Sequence, residues 1–410
     1  MLSEDAIEKL VRPIIARQEK INEYVVALIC KRVKEIGRLL PSDLHRLQRL
    51  LKMGADVQKI NAEIARQTGY QVQDIKQLIK TVALDGYVDT KPYFDYRHKP
   101  FIPFAKNKEL MKLVNAVANE TANTYINMSK SSAFMIRDLK NPKLLKPTSI
   151  AKTYQSVIDE AVQSVQSGVV DHNTAMKRTI KQLADSGIRY VSYNPESGRT
   201  YTQRLDTAVR RNILDGVRMV NQAVQDETGK QFGADGKEIT VHANPAADHQ
   251  AVQGHQFSNE EYEKMQSDTD ESFKDIQGRL YSHFDRHIGT CNCRHFTYSI
   301  IVGFTKPNYT DKQLAKIIAD NEKGYTLPNG KHLTLYECTQ KQRQFETNIR
   351  YAKEGQMAAQ EAGNLPLAQS YQSKINDLVS QYNQFSKACG LSPKPVKMRI
   401  SGYKKISTKK

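Results

Sequence analysis

The chain has 410 residues, a formal net charge of +17, 39% hydrophobic residues and no tryptophan. That length suffices for two or three domains with real cores, and no apolar run approaches the roughly 20 residues a bilayer-spanning helix needs. Five cysteines, Cys30, Cys291, Cys293, Cys338 and Cys389, are an odd set without framework spacing, which argues against a disulfide scaffold. The start, Met-Leu-Ser-Glu-Asp, is acidic where a secretory signal is basic, so a cytosolic product is expected. The charge is uneven: residues 201–300 hold 11 basic and 15 acidic groups, and the positive excess lies elsewhere. A basic balance points to a polyanionic neighbour such as DNA, or to an acidic protein surface, although solubility alone also accounts for it.

In chain order, residues 4–39 read as one long helix. Ile7, Leu10, Val11, Ile14, Ile15, Ile21, Val25, Leu28 and Ile29 recur at helical spacing, and Ser3 suits an N-cap. Pro41-Ser42-Asp43 breaks this helix, and a second starts near Leu44. Residues 57–67 and 72–84, joined by Thr68-Gly69-Tyr70, imitate a helix-turn-helix with Gln71, Gln73 and Gln77 available for base readout. The same pattern also suits a plain helical hairpin with Ile60, Ile64, Ile75 and Ile79 as its core. Residues 91–104 contain three prolines and five aromatics, so extended backbone is expected. These aromatics suit either base stacking with Arg97 or a linker pinned onto neighbouring helices.

Helices are expected at 107–129, 153–167 and 172–186, then two strands around Pro195-Glu196-Ser197-Gly198. A helix over 205–227 and a strand at Lys237–Asn244 open a compact α+β region. The seven acidic residues of 259–275 fit no calcium-loop spacing and read as a solvated helical face. A hairpin turning at Asn329-Gly330 follows. Helices 336–360 and 367–387 then pair antiparallel, with Phe345, Ile349 and Ala352 facing Ile375, Leu378, Tyr382 and Phe385. From Lys387 eight residues are basic and none acidic, which reads as a flexible basic tail. Lys394, Lys397, Arg399, Lys404, Lys405, Lys409 and Lys410 are its candidate polyanion-binding residues.

The expected fold is therefore mainly α with a C-terminal α+β domain. Its regions are an N-terminal helical region (1–90), a Pro/aromatic linker (91–104), a central helical region (105–186), an α+β domain (187–332), a helical hairpin (333–388) and the basic tail (389–410).

Seven of the ten histidines lie between His242 and His332. If residues 291–295 are extended, Cys291, Cys293 and His295 share one face, and His249, His242 or His287 completes a tetrahedral zinc set. The Cys-x-Cys-x-His spacing is not that of a zinc knuckle, and Cys293 as a small hydrophobe beside a structurally bonded His295 is the plainer reading. Asp248, His249, His255, Asn292 and His295 also have the composition of a histidine–metal nuclease, although nothing in their spacing fixes that geometry. Phosphate-loop, Rossmann, nucleophile-elbow and metalloprotease motifs are absent from the sequence, and no enzymatic activity is expected.

Two segments, "VHANPAADHQAVQGHQF" and "NCRHFTYSIIVGFTKPNY", resemble tailed-phage minor capsid proteins of the minor capsid protein 2 family, related to the Mu-F-like head morphogenesis proteins. The matching positions are His242, His249, Gln253, Gly254, Asn292, Cys293, Arg294, His295 and Gly303. The helix "TQKQRQFETNIRYAK" adds Gln342, Arg343, Glu346, Ile349 and Arg350. Two departures stand out. Val252 occupies the place of the family's usual tryptophan, and Cys291 is an additional cysteine. The resemblance implies a low-copy component of a double-stranded DNA phage head, located in the virion at the portal vertex or inner capsid face after assembly in the host cytoplasm. Its implied partners are portal protein, major capsid protein and packaged DNA, with no membrane. Its implied roles lie in head assembly, DNA packaging or DNA ejection.

Overall fold

A computed structural model of the chain describes residues 4–36, 54–137, 144–167, 172–194, 199–267, 271–283, 286–290 and 293–408. The helix expected from Leu44 and the Pro195–Gly198 turn lie outside them. The fold is mainly helical with small antiparallel sheets, as the hydrophobic periodicity indicates. The chain forms two compact units. One comprises Met1–Val11, Gln73–Thr124 and Arg211–Gln340; the other comprises Arg12–Val72, Tyr125–Arg210 and Lys341–Lys410. No helix among the described residues is long and apolar enough to cross a membrane.

The first helix, α1 (Glu4–Ile36), runs through Pro13. An internal proline removes one backbone hydrogen bond, and the continuous buried stripe Ile14, Ile15, Ile21, Val25, Ile29, Val33 and Ile36 offsets that loss. The helix-turn-helix expectation is overturned, because residues 55–88 form one uninterrupted helix, α2 (Ala55–Val88). Gly69 costs about 1 kcal/mol relative to alanine in a helix interior but stops nothing, since the apolar face resumes at Ile75, Leu78 and Ile79. The Thr68 hydroxyl donates back to Ile64 O at 2.7 Å, inside the helix rather than in a turn. Gln71 is fully buried and donates to Ile14 O at 2.8 Å, so it cannot read bases.

In the unit built on residues 125–210 and 341–410, a four-stranded antiparallel sheet has the order β2-β1-β3-β4. Its strands are β1 (Ser132–Arg137), β2 (Leu145–Ser149), β3 (Arg189–Asn194) and β4 (Arg199–Arg204). The pair β3–β4 is the expected hairpin; β1 and β2 are additions to it. Pro147 lies on the edge strand β2, where a missing ladder donor is tolerated. The helices Ile150–Ser167 and His172–Ser186 pack against each other and against β1.

At the end of β4 a buried ionic network joins the long helix α7 (Leu205–Phe232; α3–α6 being Lys91–Tyr96, Lys108–Lys130, Ile150–Ser167 and His172–Ser186) to the C-terminal hairpin. The Arg204 guanidinium grips the Glu354 carboxylate with both terminal nitrogens and donates through Nε to Asp206 Oδ1 at 3.1 Å. Arg350 Nη1 donates to Asp206 Oδ2 at 2.5 Å. Burial by itself would raise the Asp206 carboxyl, but the Arg350 and Arg204 guanidinia outweigh it and hold the group below the usual carboxylate range.

The hairpin helices are Leu335–Glu361 and Leu365–Ala388. Ile349 and Tyr382 form their shared core with Phe345, Leu378 and Val379 at its margin, close to the expected facing. Residues 389–408 are not a loose tail. Met398 and Ile400 are buried, Lys394 N–H donates to Tyr382 Oη at 2.6 Å, and Gln356 Nε2 donates to Lys404 O at 2.8 Å.

In the unit containing residues 211–340, strands β5 (Gly236–Ile239), β6 (Gln256–Ser258) and β9 (Thr297–Ile300) form an antiparallel sheet with β5 central. The intervening β7 (Phe273–Lys274) and β8 (Leu280–Tyr281) make a separate two-stranded pair. Helix α7 satisfies the outer edge of β9 with its side chains. Gln222 Oε1 accepts from Thr297 N–H at 2.9 Å, and Gln225 Oε1 accepts from Ser299 N–H at 3.0 Å. An edge strand covered in this way offers no free ladder to another chain. The Pro/aromatic segment is pinned as the second reading has it. Phe94, Phe232 and Ile301 form a cluster flanked by Tyr93 and Phe101, and Tyr96 stacks on Phe304 at 3.6 Å. Its backbone differs from expectation, because Lys91–Tyr96 is a short helix with Pro92 in its first turn, where no amide donor is needed. Among the described residues of the acidic stretch, Asn259–Met265 is helical, capped by Ser258. The Asn329-Gly330 hairpin pairs Tyr325–Thr326 with His332–Leu333.

Replacing Arg204 with Met leaves the Glu354 carboxylate buried without its cation and removes one of the two held by Asp206. The expected loss is about 3–5 kcal/mol, read as a lower denaturant midpoint. A midpoint within error of wild type means the network contributes nothing net.

Candidate metal centre

The loop after β5 and the segment before β9 converge because their flanking strands pair. Ile239 is opposite Thr297, and the pairing continues as Thr240 N–H donates to Phe296 O at 3.0 Å. This places His249 and Gln253 of the first connection against Arg286, Cys293 and His295 of the second. His249, Cys293 and His295 are buried there, with one ligand atom from each lying within 4.8 Å of the others. Cys293 Sγ lies 3.3 Å from His249 Nδ1 and 3.3 Å from His295 Nδ1. The expected grouping of Cys293, His295 and His249 is therefore realised in space. The reason differs from the one expected: residues 293–296 precede β9 and are not strand, and Cys293 N–H donates to Thr290 O at 2.8 Å. Cys291 and Asn292 lie outside the described residues.

The outward nitrogens of both rings are also held. His249 Nε2 lies 2.5 Å from Arg286 O, and His295 Nε2 lies 3.4 Å from Gln253 Oε1. Gln253 Oε1 also accepts the His242 backbone N–H at 2.9 Å, and the His242 ring sits edge-on to His295 with centroids 4.4 Å apart. Gly254 follows with a φ of 74°, and a Cβ there would run into Leu314 and Val241. The Gln-Gly pair thus aligns the histidines and turns the chain. Val252, in the tryptophan position, packs with Ile239, Phe257, Met265, Phe273 and Ile288. Arg294 is half-buried and, with Arg218 and Arg211, opposes the burial that raises the Asp215 carboxyl.

Burial pushes His295 down to about 2, with further repulsion from His242, His249 and Arg286, so its ring is neutral. For His249 burial opposes the charge, but the contacts with Cys293 and Arg286 O outweigh it and raise the group. Cys293 shows the mirror image. Burial favours the thiol, while His249 and the surrounding backbone donors lower it overall.

Two other residues build the site in roles that the sequence motifs did not assign. Asp248 binds Arg286 through two bonds of 2.5 and 2.8 Å, which fixes the carbonyl that His249 faces. Gly289 has a φ of 84°, and a Cβ there would lie 2.8 Å from Arg218 Nη1. The nuclease arrangement does not assemble among the described residues. Asp248 is engaged by Arg286, and His255 Nδ1 lies 2.8 Å from Arg279 Nη2 rather than joining the triad.

The helical motif residues are structural in placement. Gln342 donates to Ser386 Oγ and Ser392 O, Glu346 accepts from Tyr382 Oη at 3.2 Å, Ile349 is core, Arg350 pairs with Asp206, and Arg343 is exposed. Lys394, Arg399, Lys404 and Lys405 are exposed and Lys397 is half-buried, while Lys409 and Lys410 lie outside the described residues.

A family match spans residues 2–387 and is described as phage minor capsid protein 2. The chain belongs to this family. Neither a curated protein nor a solved structure matches it. As a phage minor capsid protein it is a virion component that interacts with other virion components, and the family identified from its His/Gln-Gly and Asn-Cys-Arg-His segments is the one found.

Substituting Gln253 with Leu removes the acceptor shared by the His242 amide and His295. A buried donor left unsatisfied costs about 1–3 kcal/mol, so the thermal midpoint of this minor capsid protein is expected to fall. An unchanged midpoint would show that the shared acceptor is dispensable.

Proposed function

We propose that this minor capsid protein is a low-copy component of the phage head, seated at the portal vertex or inner capsid face, which contacts packaged double-stranded DNA. In this reading it acts in head assembly, DNA packaging or DNA ejection, with portal protein or major capsid protein as its protein partner. The observation that carries the DNA contact is the charge of +17 together with a C-terminal segment whose backbone is docked and whose cations face outward. Lys353 Nζ donates to Met398 O at 2.6 Å, and Gln372 Oε1 accepts from Tyr403 Oη and Ile406 N–H. Cations on a held backbone lose less freedom on binding a phosphate array than cations on a loose tail. Residues 55–88 form one continuous helix rather than a helix-turn-helix for sequence readout, so the expected binding is electrostatic and sequence-independent.

Quantitative mass spectrometry of purified, DNase-treated heads tests the location. A few copies per particle, far below the major capsid protein, are expected, and absence from both precursor and mature heads overturns the proposal. The DNA contact has its own check. Neutralising Lys394, Arg399, Lys404 and Lys405 together is expected to flatten the plot of log affinity against log salt by about 0.9 for each DNA phosphate that the variant no longer neutralises. An unaltered slope removes this segment from DNA binding.

A further inference from the structure

We infer that His249 Nδ1, Cys293 Sγ and His295 Nδ1 hold one zinc ion in this minor capsid protein. The inference stands on the side-chain geometry, independently of where the protein sits in the head. In a tetrahedral site with Zn–S near 2.3 Å and Zn–N near 2.0–2.1 Å, sulfur and nitrogen ligands lie about 3.5 Å apart. The two observed Sγ–Nδ1 separations of 3.3 Å are within a few tenths of an ångström of that edge. The three ligand atoms come from two chain segments and face one another in a buried space.

The surroundings supply a second, independent observation. A metal-binding histidine typically donates its other ring N–H to a carbonyl or carboxylate oxygen, which fixes the tautomer and aims the lone pair at the metal. Both rings here have that arrangement, with His249 Nε2 against Arg286 O and His295 Nε2 against Gln253 Oε1. With the protons on Nε2, both Nδ1 lone pairs point at one sulfur. A single thiol proton can serve only one of them, whereas a cation accepts electron pairs from all three atoms at once.

The alternative of a Cys–His catalytic pair is less well supported. A nucleophilic sulfur needs access and one base, whereas Cys293 is 5% exposed and flanked by two imidazoles. Two imidazoles and a thiolate are borderline and soft donors, which favour zinc over magnesium or calcium. Three protein ligands leave one tetrahedral position for a ligand outside the triad. The ion would tie the 242–254 connection to residues 286–295, a stretch with little regular secondary structure among its described residues. Zinc loading releases to solvent the one proton shared by the Cys293–His249 pair, and no oxidation occurs.

The test uses full-length protein without a histidine tag, equilibrated with micromolar zinc and then desalted. Elemental analysis is expected to give about one zinc per chain, and cobalt(II) replacement to give the intense visible bands of a tetrahedral site plus a near-ultraviolet thiolate-to-cobalt band. Cys293→Ser is expected to lose the thiolate band, and His295→Ala to lower zinc affinity at least tenfold. Chelation is expected to lower the thermal midpoint of wild type and leave Cys293→Ser unmoved. Less than a tenth of an equivalent of zinc in folded wild type, together with no thiolate–cobalt band, overturns the inference, and this readout does not depend on any variant folding. Full zinc retention in Cys293→Ser overturns it equally.

Discussion

The buried guanidinium–carboxylate network of Arg204, Asp206, Arg350 and Glu354 is the constraint around which its unit is organised. Each of these charges is expensive to desolvate alone, and the arrangement is stable only while every member keeps its partners. Arg204 ends β4, Asp206 begins α7, and Arg350 and Glu354 lie one helical turn apart on the first hairpin helix. Sheet, helix and hairpin are thereby fixed by one set of charges that tolerates little displacement. Hydrophobic burial of Ile349 and Tyr382 beside it adds energy but little directional demand.

The other unit meets a comparable demand with neutral polar groups. Gln222 and Gln225 of α7 bind the edge of β9, Glu238 in the central strand is fully engaged by Gln256 and Asn308, and Gln253 aligns two histidines. The Cys/His cluster is the end point of that order. Strand pairing brings two loops together, a glutamine and a carbonyl set the rings, and positive-φ glycines at 254 and 289 allow the turns. Without those supports the same three side chains would be only a composition.

These arrangements give the family motif a physical reading. Its His, Gln-Gly and Cys-x-His positions build one buried cluster, while the motif on the first hairpin helix secures the C-terminal segment and the charge network. A virion component must keep its shape within an assembly, and most of these matched residues serve that shape. Arg343, Lys394, Arg399, Lys404 and Lys405 are among the matched or basic residues that are exposed.

Helical periodicity alone determined much of this protein. The helices at 4–36, 108–130, 205–232 and the C-terminal pair follow from apolar spacing, because that spacing is a local property of a 3.6-residue repeat. The segments around His249 and Cys293 likewise carried the family and the residue types of the buried cluster. The sequence misled at Thr68-Gly69-Tyr70, where the turn signal is local but the continuing buried face of α2 is not, and no strand was read at Ser132–Arg137 and Leu145–Ser149, where short strands gain their stability from partners distant in the chain. It also read the C-terminal segment as a free tail from its charge, although Met398 and Ile400 find apolar cover that only the folded hairpin provides. The partners of Cys293 were decided by tertiary structure. His249 lies 44 residues away and meets the sulfur where the β5–β9 pairing brings their connections together, and Arg286, whose carbonyl faces His249, is bound through its side chain by Asp248. Local spacing encodes the turn of a helix; it cannot encode which distant loop will close over a buried thiol.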